Sequence, residues 1–314
     1  MNAPLSLSLP NEHFLRQGRG YRIEPHPDHE RLYHIRLDKG VVSAFMEATV
    51  HIDSQNLEYT PLMRFVTAKM LLDHLDADFQ TTVRAILKDR LSGGFTIGVE
   101  DETDSPSDYV KLSTAMSHLV GPTNFDAMSG TFYARFVVQD TDTSDSYLRQ
   151  AYRLFTLHTD GTFVDEPTDW LLMMKFAEKH AKGGESRLLH LDDWEELDTY
   201  SKHPLASYEF TYTSPPSKNI GQTIKRRTFF LQDDKPCACF IDQFICPETI
   251  EHSVWLKAMS DSMENSAGTK ALPLPTGQMI MLNNLFWLHG RAAFEKHPDL
   301  HRELLRQRGT FSRL

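Results

Sequence analysis

A chain of 314 residues can bury a sizeable core, either in one large domain or in two ordinary ones. Its formal net charge of -10 argues against a nucleic-acid or anionic membrane partner, because both require a basic surface. Three cysteines lie within Cys237–Cys246 without a Cys-x-x-Cys pair, which indicates a reducing compartment rather than a disulfide framework or zinc ribbon. There is no visible secretory signal and no apolar run of about 20 residues, so we expect a cytoplasmic protein.

The first third of the chain is predicted to be mainly helical. Residues 1–20 have little periodicity and are expected to form a loose arm, and residues 21–37 resemble short strands. A stripe of apolar residues predicts a helix over residues 61–91, and a second helix is predicted from Pro106 to Gly121. The helical part therefore covers about residues 60–121.

From about residue 130 onward, aromatic and β-branched residues predict a β-rich core. A helix is predicted from Pro247 to Met263, and Asp192 is expected to cap another helix together with Glu195. The predicted strands are 95–99, 131–139, 152–157, 170–176, 187–191, 228–231, 239–245 and 278–289. Of these, 228–231 and 239–245 resemble a strand pair separated by residues 232–236. This order predicts a mainly β fold with flanking helices, a β-sandwich or jelly roll forming a single domain over residues 21–314.

The stretch Arg153–Phe163 places His158 and Asp160 two residues apart on a predicted strand. Side chains two apart on a strand point to the same face, and Gly161 allows a sharp turn directly afterwards. An imidazole and a carboxylate on one face form two thirds of a site for Fe(II), which a second imidazole would complete. His289, at the end of the last apolar strand, is the candidate for that imidazole.

His-x-Asp alone is weak evidence, because the pattern occurs six times in this sequence. Most of the other pairs lie in predicted loops or in a helix, where a spacing of two directs the side chains to different faces. His190 with Asp192 is the most serious rival, although Asp192 is better explained as a helix cap. A buried, hydrogen-bonded structural role is the alternative for His158 and also for His289.

Arg302, Arg306 and Arg308 would share one face if the C-terminal segment is a strand. Guanidinium groups on one face suit bidentate carboxylate binding, although a solvated basic surface is the alternative. Ser186, after Gly183 and Gly184, could support a carboxylate through its hydroxyl group. Together with a metal site, these residues predict a pocket for small dicarboxylates.

In combination these motifs resemble the Fe(II)/2-oxoglutarate-dependent dioxygenases, and most closely the glutarate 2-hydroxylase family, also called carbon-starvation-induced protein D. The resemblance extends from about residue 108 to the C-terminus. Beyond the His-x-Asp, Gly-Gly-x-Ser, His-Gly-Arg and Arg-x-x-x-Arg motifs, it is carried by residues 124–138, 145–150, 189–195, 216–219, 241–244 and 283–291.

The resemblance implies a double-stranded β-helix core with His158, Asp160 and His289 as ligands of Fe(II). It further implies that Arg302 and Ser186 bind the distal carboxylate of 2-oxoglutarate and that Arg306 contacts the substrate, with Arg308 a competitor for either arginine role. No catalytic residue beyond the metal ligands is implied. The expected reaction consumes O2 and converts glutarate to L-2-hydroxyglutarate in lysine degradation, and the expected assembly is a homotetramer.

Three alternatives stay open at this point. The substrate could be another small acid, such as a sulfonate or a trimethylammonium acid, and the latter would require an aromatic cage. A jelly-roll sensor could bind a dicarboxylate without turnover. A zinc hydrolase is also compatible with one His-x-Asp pair and a distant histidine.

Overall fold

In a computed structural model of the protein, the described residues are 12–99, 102–127, 129–139, 152–214, 221 and 223–312. Residues 1–11 of the expected arm, and residues 145–150 and 216–219 of the family-like stretches, lie outside this description. The structure differs from the expectation of a loose arm at residues 12–20. Here strand β1 (Arg16–Gly18) pairs with the following strand, and Arg16 Nη1 lies 2.9 Å from Asp78 Oδ2.

Helices gather in the first part of the chain, as predicted, but they begin at Lys39 rather than near residue 60. The predicted helix over residues 61–91 is two helices, because the intervening segment contains three aspartates, which favour turns over helix interiors. Asp76 in this break accepts a hydrogen bond from the backbone N–H of Arg19 at 2.8 Å. The helices are α1 Lys39–Ala48, α2 Ser54–Tyr59, α3 Pro61–Leu72, α4 Phe79–Lys88, α5 Pro106–Val120, α6 Leu197–Ser201 and α7 Ile250–Asn265. None of the helices in the described ranges is long and apolar enough to cross a membrane.

The strands form two main sheets and two small ones. After β1 they are β2 Tyr21–Pro25, β3 Tyr33–Leu37, β4 Gly94–Gly98, β5 Ala134–Gln139, β6 Phe155–His158, β7 Trp170–Lys179, β8 Ser186–His190, β9 Glu209–Thr213, β10 Thr223–Arg227, β11 Phe229–Gln232, β12 Lys235–Ala238, β13 Ile245–Cys246, β14 Lys270–Leu272, β15 Gln278–Asn283, β16 Trp287–Arg291 and β17 His301–Gly309. The larger sheet has the order β1-β2-β3-β4-β15-β7-β17-β5, and the second sheet has the order β14-β8-β16-β6.

Three local predictions were wrong. The predicted strand 278–289 is two strands in different sheets, β15 and β16, because residues 284–286 cross between the sheets. The predicted pairing of 228–231 with 239–245 is instead a tight hairpin between β11 and β12, with Asp233 and Asp234 at positive φ. Asp192 caps no α-helix, and its carboxylate is instead paired with Arg90 at 2.6 Å.

Two apolar cores lie on opposite sides of the larger sheet. One is shared with helices α1–α5, and the other fills the space between the two main sheets. On β17, Leu305 belongs to the helix-side core and Leu304 packs against the core between the sheets. Because side chains alternate along a strand, Arg302, Arg306 and Arg308 share the inner face with Leu304, as predicted. The mainly β fold with a jelly-roll core and flanking helices is confirmed.

Candidate metal centre

His158 and His289 meet because their strands pair in a register that sets them directly opposite each other. His158 ends β6 and His289 lies in β16, which is antiparallel to β6. Their ring centroids are 4.2 Å apart. Gly290 permits this close approach, since a Cβ there would lie 2.6 Å from the carbonyl oxygen of Phe155. The predicted convergence of two distant histidines is therefore present in the structure.

Asp160 follows β6 and completes the group. The ligand atoms of His158, Asp160 and His289 all lie within 4.8 Å of one another, the only such group of three metal-binding side chains among the described residues. Asn284, in the crossing between β15 and β16, accepts a hydrogen bond from Asp160 N at 2.8 Å and donates to Asp160 O at 3.0 Å. Gly161 adopts a φ of 79°. Asn284 thus holds both the backbone N–H and the carbonyl group of Asp160 in the turn after β6.

The protonation and orientation of the imidazoles suit metal binding. His158 Nδ1 lies 2.8 Å from the carbonyl oxygen of Thr156, so the ring donates there and its Nε2 faces Asp160 at 3.9 Å. Burial, together with the neighbouring His158, lowers the pKa of His289 to about 3, and burial also lowers the pKa of His158. Both rings are therefore neutral near pH 7, as a metal requires.

The carboxylate of Asp160 has an unused acceptor. Burial alone would raise the pKa of Asp160, but the charge of Arg306 outweighs it and holds that pKa well below the ordinary value. Asp160 Oδ2 is buried and accepts no hydrogen bond from the described residues, although Arg306 Nη1 lies 3.1 Å away. An ionised, buried carboxylate with an unused acceptor, grouped with two neutral imidazoles, fits a divalent metal ion.

Other His-x-Asp pairs have a local structural explanation. In the pairs starting at His26, His190 and His297, the ring Nδ1 accepts the backbone N–H of the aspartate two residues later. These pairs therefore stabilise turns. At the fourth, Asp53 caps α2 by accepting the N–H of Asn56 at 2.8 Å. The repeated pattern thus arises mostly from turn and cap chemistry.

Arg302, at the start of β17, and Arg291 form a cationic pocket around the Phe294 ring, with Glu178 and Glu185 as nearby acidic groups. The Arg302 side chain is buried, and its Nε makes no hydrogen bond within the described chain and lies 3.7 Å from Glu178. Burial lowers the pKa of Arg302, while Glu178 opposes that change. The guanidinium groups of Arg291 and Arg302 lie 5.1 and 5.6 Å from the centre of the Phe294 ring. Burial and the charge of Arg302 lower the pKa of Arg291 to about 10.

Ser186 is buried and lies directly opposite Arg291 in the pairing of β8 with β16. In the same pairing Leu188 is opposite His289, so Ser186 and Leu188 share the face that carries the histidine. The structure therefore places Ser186 on the inner face of the second sheet, beside the cationic pocket around Arg302.

Arg306 is engaged by two carboxylates. Its Nη2 donates to Asp126 Oδ2 at 2.6 Å, and its Nη1 lies 3.1 Å from Asp160 Oδ2. Burial lowers its pKa, but the two carboxylates outweigh this and raise the pKa above the usual value. Arg306 is therefore neutralised by the protein itself.

Arg308 is different. It is 6% exposed, and no ion pair or hydrogen bond satisfies its Nε among the described residues. Burial and the charge of Arg306 lower the pKa of Arg308, and Glu166 is among the acidic groups that oppose this change. Among the ion pairs of the described residues Arg308 has no carboxylate partner, although Asp126, Asp160 and Glu166 lie near enough to affect its pKa.

Several residues at this site were not assigned by sequence reasoning. Asn284, Asp126 and Arg291 lie in the family-like stretches, but nothing in their spacing indicated a role. Asp126 is far from Arg306 in sequence, and the two segments are brought together by the pairing of β5 with β17 and by a hydrogen bond from Asn124 N to Arg308 O at 2.8 Å.

Solved structures with the same fold bind iron. An asparagine oxygenase in complex with Fe(II), 2S,3S-3-hydroxyasparagine and succinate aligns with a TM-score of 0.70 and 15% identity, covering 88% of this chain and 93% of that chain. The non-heme iron oxygenase OrfP in complex with Fe and alpha-ketoglutaric acid aligns with a TM-score of 0.66 and 17% identity, covering 88% and 94%. The chain therefore has the jelly-roll fold of these non-heme iron oxygenases.

The family follows from the sequence itself. The CsiD family model matches residues 21–311, so the chain belongs to the carbon starvation induced protein D family, as the resemblance indicated. The iron, succinate and alpha-ketoglutaric acid of the solved neighbours, together with the His158–Asp160–His289 group, agree with the predicted Fe(II) and 2-oxoglutarate.

Proposed function

We propose that the protein is an Fe(II)/2-oxoglutarate-dependent dioxygenase that hydroxylates glutarate at C2. Glutarate, 2-oxoglutarate and O2 would give L-2-hydroxyglutarate, succinate and CO2. The observation that carries the proposal is the buried His158–Asp160–His289 group beside arginines on one strand face. Membership of the CsiD family and the resemblance to glutarate 2-hydroxylases support glutarate as the substrate.

His158, Asp160 and His289 would hold the iron, and two imidazoles with one carboxylate leave open coordination positions for small molecules. Iron bound there with 2-oxoglutarate and O2 supplies the oxidation of the substrate C–H bond. The protein aligns the ligands through Thr156 and Asn284, which fix the orientation of His158 and the backbone of Asp160.

Two separate arginines would bind the two small acids. Arg302, with Ser186 on the inner face of the second sheet, would bind the distal carboxylate of 2-oxoglutarate, because its guanidinium group is only weakly paired at 3.7 Å from Glu178. Arg308 would bind a carboxylate of the substrate. Arg306, predicted to contact the substrate, is a weaker candidate because two carboxylates already neutralise it.

The charges favour a dicarboxylate over an amino acid. An α-amino acid would place an ammonium group in the pocket, which requires an anionic partner. Asp126 is held by Ser129 and Arg306, and Asp160 would be a ligand of the iron, so neither is available to pair with an ammonium group. A dicarboxylate instead requires cations, and Arg302 and Arg308 are buried on the same face.

The direct test is anaerobic loading with Fe(II) and 2-oxoglutarate, followed by glutarate and air. We expect one succinate for each L-2-hydroxyglutarate, measured with a chiral assay. His158→Ala should abolish both products and metal binding. His51→Ala, at an exposed histidine of another His-x-Asp pair, should leave both unchanged.

The outcomes separate the alternatives. Thermal stabilisation by glutarate without O2 consumption would indicate a sensor. Hydrolytic activity of the protein loaded with zinc alone would indicate a hydrolase. Succinate release with another acid but not with glutarate would keep the iron centre and change the substrate.

Assembly, compartment and pathway are further parts of the proposal. By its resemblance the protein would be a homotetramer acting in lysine degradation, and by its composition it would be cytoplasmic. Light scattering coupled to size-exclusion chromatography would test the tetramer, and a molar mass of one chain would contradict it.

A further inference from the structure

Asp126 is a buried carboxylate between α5 and β5 for which the proposed reaction has no direct use. It is 5% exposed, and its backbone N–H donates to the carbonyl oxygen of Thr131 at 2.7 Å. Asp126 Oδ1 accepts the N–H of Ser129 at 3.1 Å, and Oδ2 accepts Arg306 Nη2 at 2.6 Å. Both carboxylate oxygens are therefore held by the protein.

Arg306 links Asp126 to the metal group. Its opposite nitrogen, Nη1, lies 3.1 Å from Asp160 Oδ2. The side chains of Asp126, Arg306 and Asp160 are 8%, 15% and 8% exposed, so solvent and salt screen this array only weakly. Two carboxylates and one guanidinium give it a net charge of -1.

That charge depends on Asp126. Without the Asp126 carboxylate, the positive charge of Arg306 would act on Asp160 alone, and the array would become neutral. A neutral array attracts a divalent cation less strongly and repels a nearby dicarboxylate less strongly. Arg308, which also lies near Asp126 and Asp160, would then add an uncompensated positive charge.

We propose that Asp126 is a positioning residue that sets the charge of the metal centre by holding Arg306, thereby favouring metal binding at the expense of anion affinity. The inference rests on the proposed role of Asp160 as a ligand. It predicts opposite effects on two affinities, whereas simple damage to the site would weaken both.

The test is Asp126→Asn in the full chain, which removes the charge and keeps the shape. Co(II), stable in air, replaces Fe(II) in calorimetric titrations, followed by titration of 2-oxoglutarate into the Co(II)-loaded protein. We expect the Kd for Co(II) to rise about 10-fold, as for loss of other groups that support metal ligands, and the Kd for 2-oxoglutarate to fall. Any other combination of changes, including weaker binding of both, would overturn the proposal.

Two further variants serve as controls. Asp126→Glu keeps the charge and should restore Co(II) affinity relative to Asp126→Asn; failure to do so would also overturn the proposal. Asp193→Asn removes a carboxylate paired with buried Arg31 at 2.5 Å. Asp193 follows the C-terminal end of β8, whereas Ser186 is the first residue of that strand. The Asp193→Asn variant should have a lower melting temperature without a change in either Kd.

Failure of the ligand assignment is detected separately. If His158→Ala binds Co(II) with the affinity of the unaltered protein, the proposed metal centre is wrong whatever the Asp126 variants do. If His158→Ala loses Co(II) while Asp126→Asn binds both ligands normally, only the role of Asp126 is wrong.

Discussion

The two ends of β17 carry the same type of residue in different electrostatic environments. At one end Arg302 lies among other cations and has a distant carboxylate at 3.7 Å. At the other end Arg306 is bound by two carboxylates, and Arg308 beside it has none among the described residues. The three arginines share one face but differ in how far carboxylates of the protein already neutralise them.

Arg302→Ala is expected to have the largest effect. A charge-assisted hydrogen bond contributes about 1.5–3 kcal/mol, so the KM for 2-oxoglutarate should rise roughly 10- to 100-fold. Steady-state kinetics of succinate formation would measure it, with Arg36→Ala on the exposed side of β3 as a control. If the KM for glutarate rises instead, Arg302 binds the substrate and the assignment of the two ends of β17 is reversed.

Arg308→Ala tests the other end. We expect the KM for glutarate to rise about 10-fold or more, because a buried cation without a carboxylate partner is lost from the substrate side. The Kd for 2-oxoglutarate, measured by titration in the absence of glutarate, should change much less. Equal weakening of both acids would show that the two ends do not act separately.

The face of β17 that packs against α5 should affect stability rather than ligand binding. Gln307 contacts α5, which also contains the buried His118. Burial lowers the pKa of His118 to about 4, so below the usual value of 6.5 the unfolded chain binds a proton that the folded chain does not. Stability therefore falls as the pH falls, by about 2 kcal/mol from this residue between about pH 7 and pH 5.

Urea unfolding of the apo protein at several pH values would measure this effect. His118→Gln cannot take up the proton and should reduce the pH dependence, whereas the same substitution at exposed His51 should retain it. An identical slope in the His118 variant would contradict the assignment.

The smallest expected effect is that of Ser186→Ala. A neutral hydrogen-bond donor contributes about 1 kcal/mol, so affinity for 2-oxoglutarate should fall about 5-fold. The double variant with Arg302→Ala should show less than additive losses, because both side chains would bind one carboxylate. Fully additive losses would show that Ser186 and Arg302 do not bind the same carboxylate.

Local patterns were enough to predict the β-rich core, most helices and the face shared by the three arginines. They could not predict Asp126 or Asn284, whose roles depend on strand pairing between distant segments. The prediction that Asp192 caps a helix was wrong for a similar reason. Its carboxylate pairs with Arg90, more than a hundred residues earlier. Interactions between distant charges leave no local sequence pattern.

The direct alignment of His158 with His289 restricts the changes in length that the gene can accept. Insertion or deletion of one residue inside β6 or β16 would turn an imidazole to the far surface of its sheet. Loops that carry neither Asp160 nor Asn284 have no such restriction, so variation in size among relatives should be concentrated in them.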